Sequence, residues 1–259
     1  MEFKNLHIEK RPPLAQVTLD RPKVLNALSA ETLTEISEAI EALAVDHEVR
    51  VILLSGAGRA FAAGADIREL STLTAEEGRA FALRGQALLR RIETLGKPVI
   101  ACIQGFALGG GCELALACTL RIAAEDARLG LPEVKLGVMT GWGGSQRLPR
   151  LVGRSAGLKL LLTGASIDAR EALNIGLVDE VVPAAGLMTR AEALAGDIAA
   201  NAPLAVAETM RAADEGLDLP LDLALLREAV HFSKICETAD KNEGTQAFLE
   251  KRPPAWKGK

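Results

Sequence analysis

Two glutamates stand beside glycines in surroundings that are otherwise apolar. Glu113 closes "FALGGGCE" (Phe106–Glu113), and Glu133 follows Pro132 in "LGLPEVKLG" (Leu129–Gly137). A lone glutamate is ordinarily a solvated surface residue. Two in such settings point to paired-carboxyl chemistry, in which one group takes a proton while the other gives one. The glycines Gly109, Gly110 and Gly111 lead into a helical stretch. The first N–H groups of a helix have no intrahelical partner and carry the positive end of its dipole. A developing oxyanion finds donors there that need no reorganisation. Close helix packing also uses glycine, so the local sequence leaves both uses open. A second small-residue stretch, "RAFAAGADIREL" (Arg59–Leu70), follows a strand and can also present a free N–H.

Other motifs compete for the chemistry. "SGAGRAF" (Ser55–Phe61) begins like a dinucleotide-binding turn, but Phe61 stands where the third glycine is needed. "GRSAG" (Gly153–Gly157) matches a nucleophile elbow, with Asp179 and His231 following Ser155 in hydrolase order. That elbow needs a strand before the serine. The preceding "GGSQRLPRLV" reads as helical, and its Pro149 argues against a central strand. A turn between two helices accounts for both glycines. Cys102, Cys112, Cys118 and Cys236 show no CxxC spacing and read as reduced core thiols, with no metal site.

The elements that must position these residues alternate between strand and helix. Ala15–Leu19 reads as a strand. A helix follows Ser29, with Leu33, Ile36, Ile40 and Leu43 on one face. "VRVILLSG" and "PVIACIQG" are buried strands on either side of an amphipathic helix running from Thr74 to about Gly96. "LRIAAED" (Leu120–Asp126) is a further strand. From about Arg147 the pattern is mostly helical, including Asp222–Asp240 and a last helix starting near Thr245. The "KRPPAWKGK" tail reads as exposed. This predicts an α/β core over residues 1–195 and a helical region over 196–259.

With 259 residues, 49% of them hydrophobic and 25% charged, the chain can bury a sizeable core. A net charge of -4 with no basic stripe argues against nucleic acid. No apolar run approaches the roughly 20 residues of a membrane span. The charged N-terminus lacks a signal peptide's apolar stretch, so a cytoplasmic setting is expected.

Six ordered motifs, "RPKVLNAL", "AFAAGADIREL", "GFALGGGCELALACTLRIAAEDARLGLPEVKLG", "GGSQRLPRLVG", "LTGASIDAREALNIGLVDEVVP" and "EGTQAFLEKR", resemble the enoyl-CoA hydratase (crotonase) family. The likeness runs from about Leu14 to Arg252. It implies a crotonase-like spiral of ββα turns followed by a C-terminal helical trimerisation region, assembled as a homotrimer or homohexamer. It also implies reversible addition of water to a 2-enoyl-CoA, giving a 3-hydroxyacyl-CoA, on short or medium chains. No metal or prosthetic group is then required, and CoA enters as part of the substrate.

Carried over by position, the resemblance assigns the thioester carbonyl to the backbone N–H groups of Ala65 and Gly110. It assigns the catalytic water to Glu113 and Glu133. Ala65, Asp66, Ile67 and Arg68 would run along the CoA, Arg68 standing where many members have lysine. Lys23 would lie near the nucleotide, and Phe248 and Lys251 would reach the CoA of a neighbouring subunit. Trp142 and Thr140 stand where many hydratases have alanine and proline, and Trp142 is expected to shape the acyl pocket. Three alternatives stay open: another reaction of this fold, such as enoyl-CoA isomerisation; a serine hydrolase using Ser155; and a non-catalytic acyl-CoA-binding protein.

Overall fold

The computed structural model describes residues 3–259. After the hairpin β1 (Leu6–Arg11) and β2 (Leu14–Leu19) comes helix α1 (Ala30–Val45). The chain then repeats one pattern: a long strand in a larger sheet, a short strand in a smaller sheet, and a helical return. The first turn is β3 (Val51–Gly56), β4 (Ala60–Ala62), α2 (Ile67–Leu70) and α3 (Ala75–Glu93). The second is β5 (Val99–Ile103), β6 (Phe106–Leu108) and α4 (Gly110–Leu116). The third is β7 (Leu120–Ala124), β8 (Arg128–Gly130), α5 (Gly144–Val152) and α6 (Arg154–Thr163). Strand β9 (Ser166–Asp168), α7 (Ala169–Asn174) and β10 (Glu180–Val182) complete the sheets. Helices α8 (Leu187–Ala199), α9 (Pro203–Gly216), α10 (Leu221–Cys236) and α11 (Ala239–Leu249) follow. The larger sheet runs β1-β2-β3-β5-β7-β10 and the smaller β4-β6-β8-β9. This is the expected spiral of ββα turns with C-terminal helices.

Strands β3 and β5 are buried along their whole length, because their parallel sheet is covered on both faces. Alternate residues divide between two cores, as the two-residue strand period requires. Val51, Leu53, Ile100 and Cys102 pack with Leu187, Ala191, Ala195 and Ala199 of α8. Ile52, Leu54, Ala101 and Ile103 join Leu33, Ile36 and Ile40 of α1 and Leu88, Leu89 and Ile92 of α3. The helix starts are fixed by side chains: Ser29 accepts from the Thr32 N–H, and Thr74 and Glu77 form a reciprocal capping box.

Several expectations are corrected. Strand β1 was hidden in "LHIEKR", because an edge strand keeps its charges in water. The three-residue strands β9 and β10 interrupt the region read as mostly helical. Helix α11 begins at Ala239 rather than near Thr245, because Thr238 caps it by accepting from the Lys241 N–H. The tail is largely exposed but pinned: Lys257 and Gly258 donate backbone N–H bonds to Asp240 at 2.7 and 2.8 Å, and Trp256 Nε1 donates to the Ala200 carbonyl. The 195/196 boundary falls inside α8, which packs on the sheet through both Ala195 and Ala199.

The last strand is tied down by a buried cation. Arg121 donates to the carbonyls of Leu177 and Cys118, and its guanidinium pairs with Asp179 at 3.4 Å. The Arg121 N–H also donates to Asp179. Asp179→Ala is therefore expected to lower stability by about 2–3 kcal/mol, since it strands a buried guanidinium. Chemical denaturation against the wild type checks this, and an unchanged midpoint would contradict it.

Candidate active site

Strands β4, β6 and β8 lie side by side and parallel, with Ala62 opposite Ala107 and Leu108 opposite Gly130. The segments leaving them therefore emerge together at one edge. Those segments carry Ala65, Gly109–Gly110 and Pro132–Glu133, so three distant stretches meet by register alone.

Ala65 lies in a short bridge with Leu28. Its neighbours are consumed: the Leu28 N–H donates to the Gly64 carbonyl, and the Asp66 N–H donates to the Leu28 carbonyl. The Ala65 N–H points the other way, as alternation along an extended chain requires, and has no acceptor among the described residues. The Gly110 N–H opens α4 and likewise has no acceptor among the described residues. The glycine triplet serves packing as well as exposure. Gly109 turns the chain at φ 50°. A side-chain carbon on Gly110 would collide with the Trp142 ring, and one on Gly111 with the Ala62 carbonyl. Close packing is thus realised at Gly110 while its N–H stays unpartnered among the described residues.

Glu113 sits one helical turn beyond Gly109 and Gly110, which places it on their side of α4. It is 2% exposed. One carboxylate oxygen, Oε1, accepts the N–H groups of Trp142 at 2.8 Å and Gly144 at 2.7 Å. Burial pushes its pKa up to about 7, with the Gly144 and Trp142 N–H groups and Arg147 pulling down and Glu133 adding to the rise. Burial also raises the pKa of Glu133, whose buried Oε2 receives no hydrogen bond from the described residues.

Both glutamates line one cavity of about 560 Å³ together with Ala65, Ile67, Gly110 and Trp142. Its remaining wall is mainly apolar, with Leu70, Phe81, Val138 and Met139 among its residues. The Trp142 ring is fully buried, tilted against Phe81 at 5.2 Å between centroids, and wedged between Gly85 and Gly110. Thr140 accepts the Ser145 N–H at 3.0 Å and so fixes the start of α5.

The structure leaves other expected site residues outside this wall. Asp66 caps α2 and pairs with Arg21 at 3.6 Å. Arg68 and Lys23 are exposed, Phe248 is 82% exposed on α11, and Lys251 follows that helix. None of these five lines the cavity. The sequence reading missed the contribution of α3, which supplies Gly78, Phe81, Ala82 and Gln86. A signal was present: two glycines inside a helix each cost about 1 kcal/mol relative to alanine. Gly78, Ala82 and Gly85 share one helical face, and that face carries the site.

The rival motifs are not assembled. Ser155 is exposed in the first turn of α6 and is preceded by helix α5, not by a strand. Asp179 is held by Arg121, while His231 is held by Glu208 at 2.6 Å and Glu215 at 3.3 Å. "SGAGRAF" joins strand to strand rather than strand to helix. Cys102, Cys112 and Cys118 are core residues whose thiols burial pushes up to about 12, whereas Cys236, read as a core thiol too, is exposed near the end of α10.

Residues 9–259 match the family model described as enoyl-CoA hydratase/isomerase. The chain is 46% identical over 253 residues to a short-chain-enoyl-CoA hydratase of Clostridium acetobutylicum, covering 97% of each chain. It is equally similar, at 46% identity and 97% of each chain, to a crotonyl-CoA hydratase of Syntrophomonas wolfei. A crystal structure of enoyl-CoA hydratase from Bacillus anthracis superposes with a TM-score of 0.95 at 40% identity, over 99% of this chain and 100% of that one. The strand-end arrangement of two free N–H groups and two carboxyls thus sits in a chain that belongs to the enoyl-CoA hydratase/isomerase family.

Proposed function

We propose that this chain adds water reversibly to short 2-enoyl-CoA thioesters. The observation that carries the reading is one cavity holding both Glu113 and Glu133 beside the unpartnered N–H groups of Ala65 and Gly110. The thioester oxygen accepts from those two N–H groups, which stabilise the enolate formed as C3 is attacked. Glu113 acts as base. Its Oε1 is engaged by two N–H donors, which favour the ionised form. It takes a proton from water as the oxygen bonds to C3. Glu133, buried without a donor to Oε2, carries the proton that passes to C2. One proton shared between the pair balances each turnover. A double-bond shift needs only one carboxyl, so the pairing favours hydration.

These proton transfers call for no metal or prosthetic group. Asp66, Arg68 and Lys23 remain proposed contacts for CoA, with Phe248 and Lys251 offered to a neighbouring protomer. Apolar side chains of α10 support that assembly: Leu221, Leu226 and Phe232 are 71%, 66% and 69% exposed. We place the protein in the cytoplasm, in keeping with its unbridged cysteines; no helix among the described residues is long and apolar enough to cross a membrane.

Glu113→Gln and Glu133→Gln should each lower kcat for crotonyl-CoA by about 10²–10⁴ while the fold is kept. The raised pKa of Glu113 adds a stability signature. Because the folded value of about 7 exceeds the ordinary 4.5, the folded state holds more protons between those limits, and stability falls as pH climbs through them. Glu113→Gln should therefore be more stable than wild type at pH 8, by up to about 3 kcal/mol, with the gap closing near pH 5. Near-wild-type hydration by either mutant, or a pH-independent stability difference, would oppose this reading.

Trp142→Ala should improve kcat/KM for longer acyl chains relative to crotonyl-CoA, by roughly 0.8 kcal/mol per methylene newly accommodated. A spectrophotometric series from C4 to C10 reads the ratio, and an unchanged ratio would remove Trp142 from the acyl wall. Light scattering at micromolar concentration should give a trimer or hexamer; a monomer would remove the neighbour's role for Phe248 and Lys251.

A further inference from the structure

Arg147 of α5 lies outside the cavity yet touches the turn that holds Glu113. Its Nη1 donates to the Trp142 carbonyl at 2.7 Å. Its Nε and Nη2 grip both carboxylate oxygens of Glu93, the last residue of α3, the second bond at 3.0 Å. Its own N–H donates to the Gly143 carbonyl at 2.8 Å. The guanidinium also occupies the space beside the Gly143 α-carbon, where φ is 112° and a side chain would collide with Nη1.

Three peptide units follow one another here. The Trp142 and Gly144 N–H groups both point at Glu113 Oε1. The peptide between them directs its carbonyl to Arg147 instead. With that carbonyl released, ψ of Trp142 and φ of Gly143 are free to change, and a change in one that the other does not compensate swings the Trp142 and Gly144 N–H groups apart and off the shared oxygen. We infer that Arg147, anchored by Glu93, is a positioning residue that locks this turn and thereby sets the orientation and proton affinity of Glu113. The fork geometry matters, because a guanidinium can bind Glu93 through two nitrogens and still reach the carbonyl with a third. Beyond burial, the charges bearing on Glu113 are Glu133, which raises its proton affinity, and Arg147, which lowers it. Glu93 is itself faced by Arg90 of its own helix at 3.4 Å and by Asp214 of α9.

The inference rests on the acid–base reading for its kinetic consequence, but its direct test does not. Glu113 is titrated by ¹³C-carboxyl NMR, its signal assigned by disappearance in Glu113→Gln. The comparison is wild type against E93L/R147M, which removes the pair without leaving a buried charge. The midpoint of Glu113 should rise by about one pH unit, as displaced N–H donors disfavour the charged form while the opposite charges of the deleted pair largely offset each other. Hydration of crotonyl-CoA should lose up to about 100-fold in kcat, as expected for a misplaced catalytic group, with KM changed less than about twofold. R147K, which keeps the charge without the fork, should fall between the two, and it carries the same titration if the double variant does not fold. An unmoved Glu113 midpoint in a folded variant overturns the inference. If the midpoint moves but the wild type does not hydrate crotonyl-CoA, the lock stands and the hydration reading falls.

Discussion

A carboxylate buried among apolar residues is the constraint on which the site depends. Removing Glu113 from water disfavours its charge, and fixed dipoles nearby, with the Arg147 charge, offset part of that penalty. The chain provides them from main chain, through the Trp142 and Gly144 N–H groups. Those groups are available because the turn from Thr140 to Gly144 closes over α4, and the turn closes because Thr140 and Arg147 hold it from two sides. The indole between Gly85 and Gly110 then packs α3, α4 and this turn as one unit. The result is a carboxyl whose pKa burial holds well above the ordinary carboxylate range, up to about 7.

The sequence displayed this site unevenly. Glu113 and Glu133 were conspicuous because charged residues are rare in apolar, glycine-rich surroundings. Gly110 was visible but ambiguous, and the structure shows that packing against Trp142 and a free N–H are compatible at one residue. The contribution of α3 was obscured because its amphipathic pattern reports only the side facing the core. Cavity-lining Phe81 and Ala82 look like ordinary surface positions in that pattern. The Arg147–Glu93 pair was equally hidden: 54 residues separate its partners, and no local spacing reports such a contact.

Fold legibility followed the same logic. Buried parallel strands such as β3 and β5 announce themselves as short apolar runs. Strand β1 does not, since at a sheet edge its charged side chains are compatible with pairing. Three-residue strands such as β8 carry too little pattern to be read, although β8 sets where Glu133 emerges. The start of α11 depended on one hydroxyl, Thr238, whose capping role becomes evident only with the geometry.

The two N–H groups proposed to hold the thioester belong to the backbone, and this has an evolutionary consequence. Ordinary side-chain replacement cannot delete an N–H; only proline removes it, or a shift of the chain. At Gly110 even alanine is resisted, by the neighbouring indole rather than by any loss of the donor. That pair of N–H groups is therefore insulated from most point mutation. The walls formed by α3 and the 136–142 segment, and the carboxyls themselves, are made of side chains that point mutation can change. A lineage built this way can exchange acids, bases and pocket shapes while keeping its two free N–H groups in place.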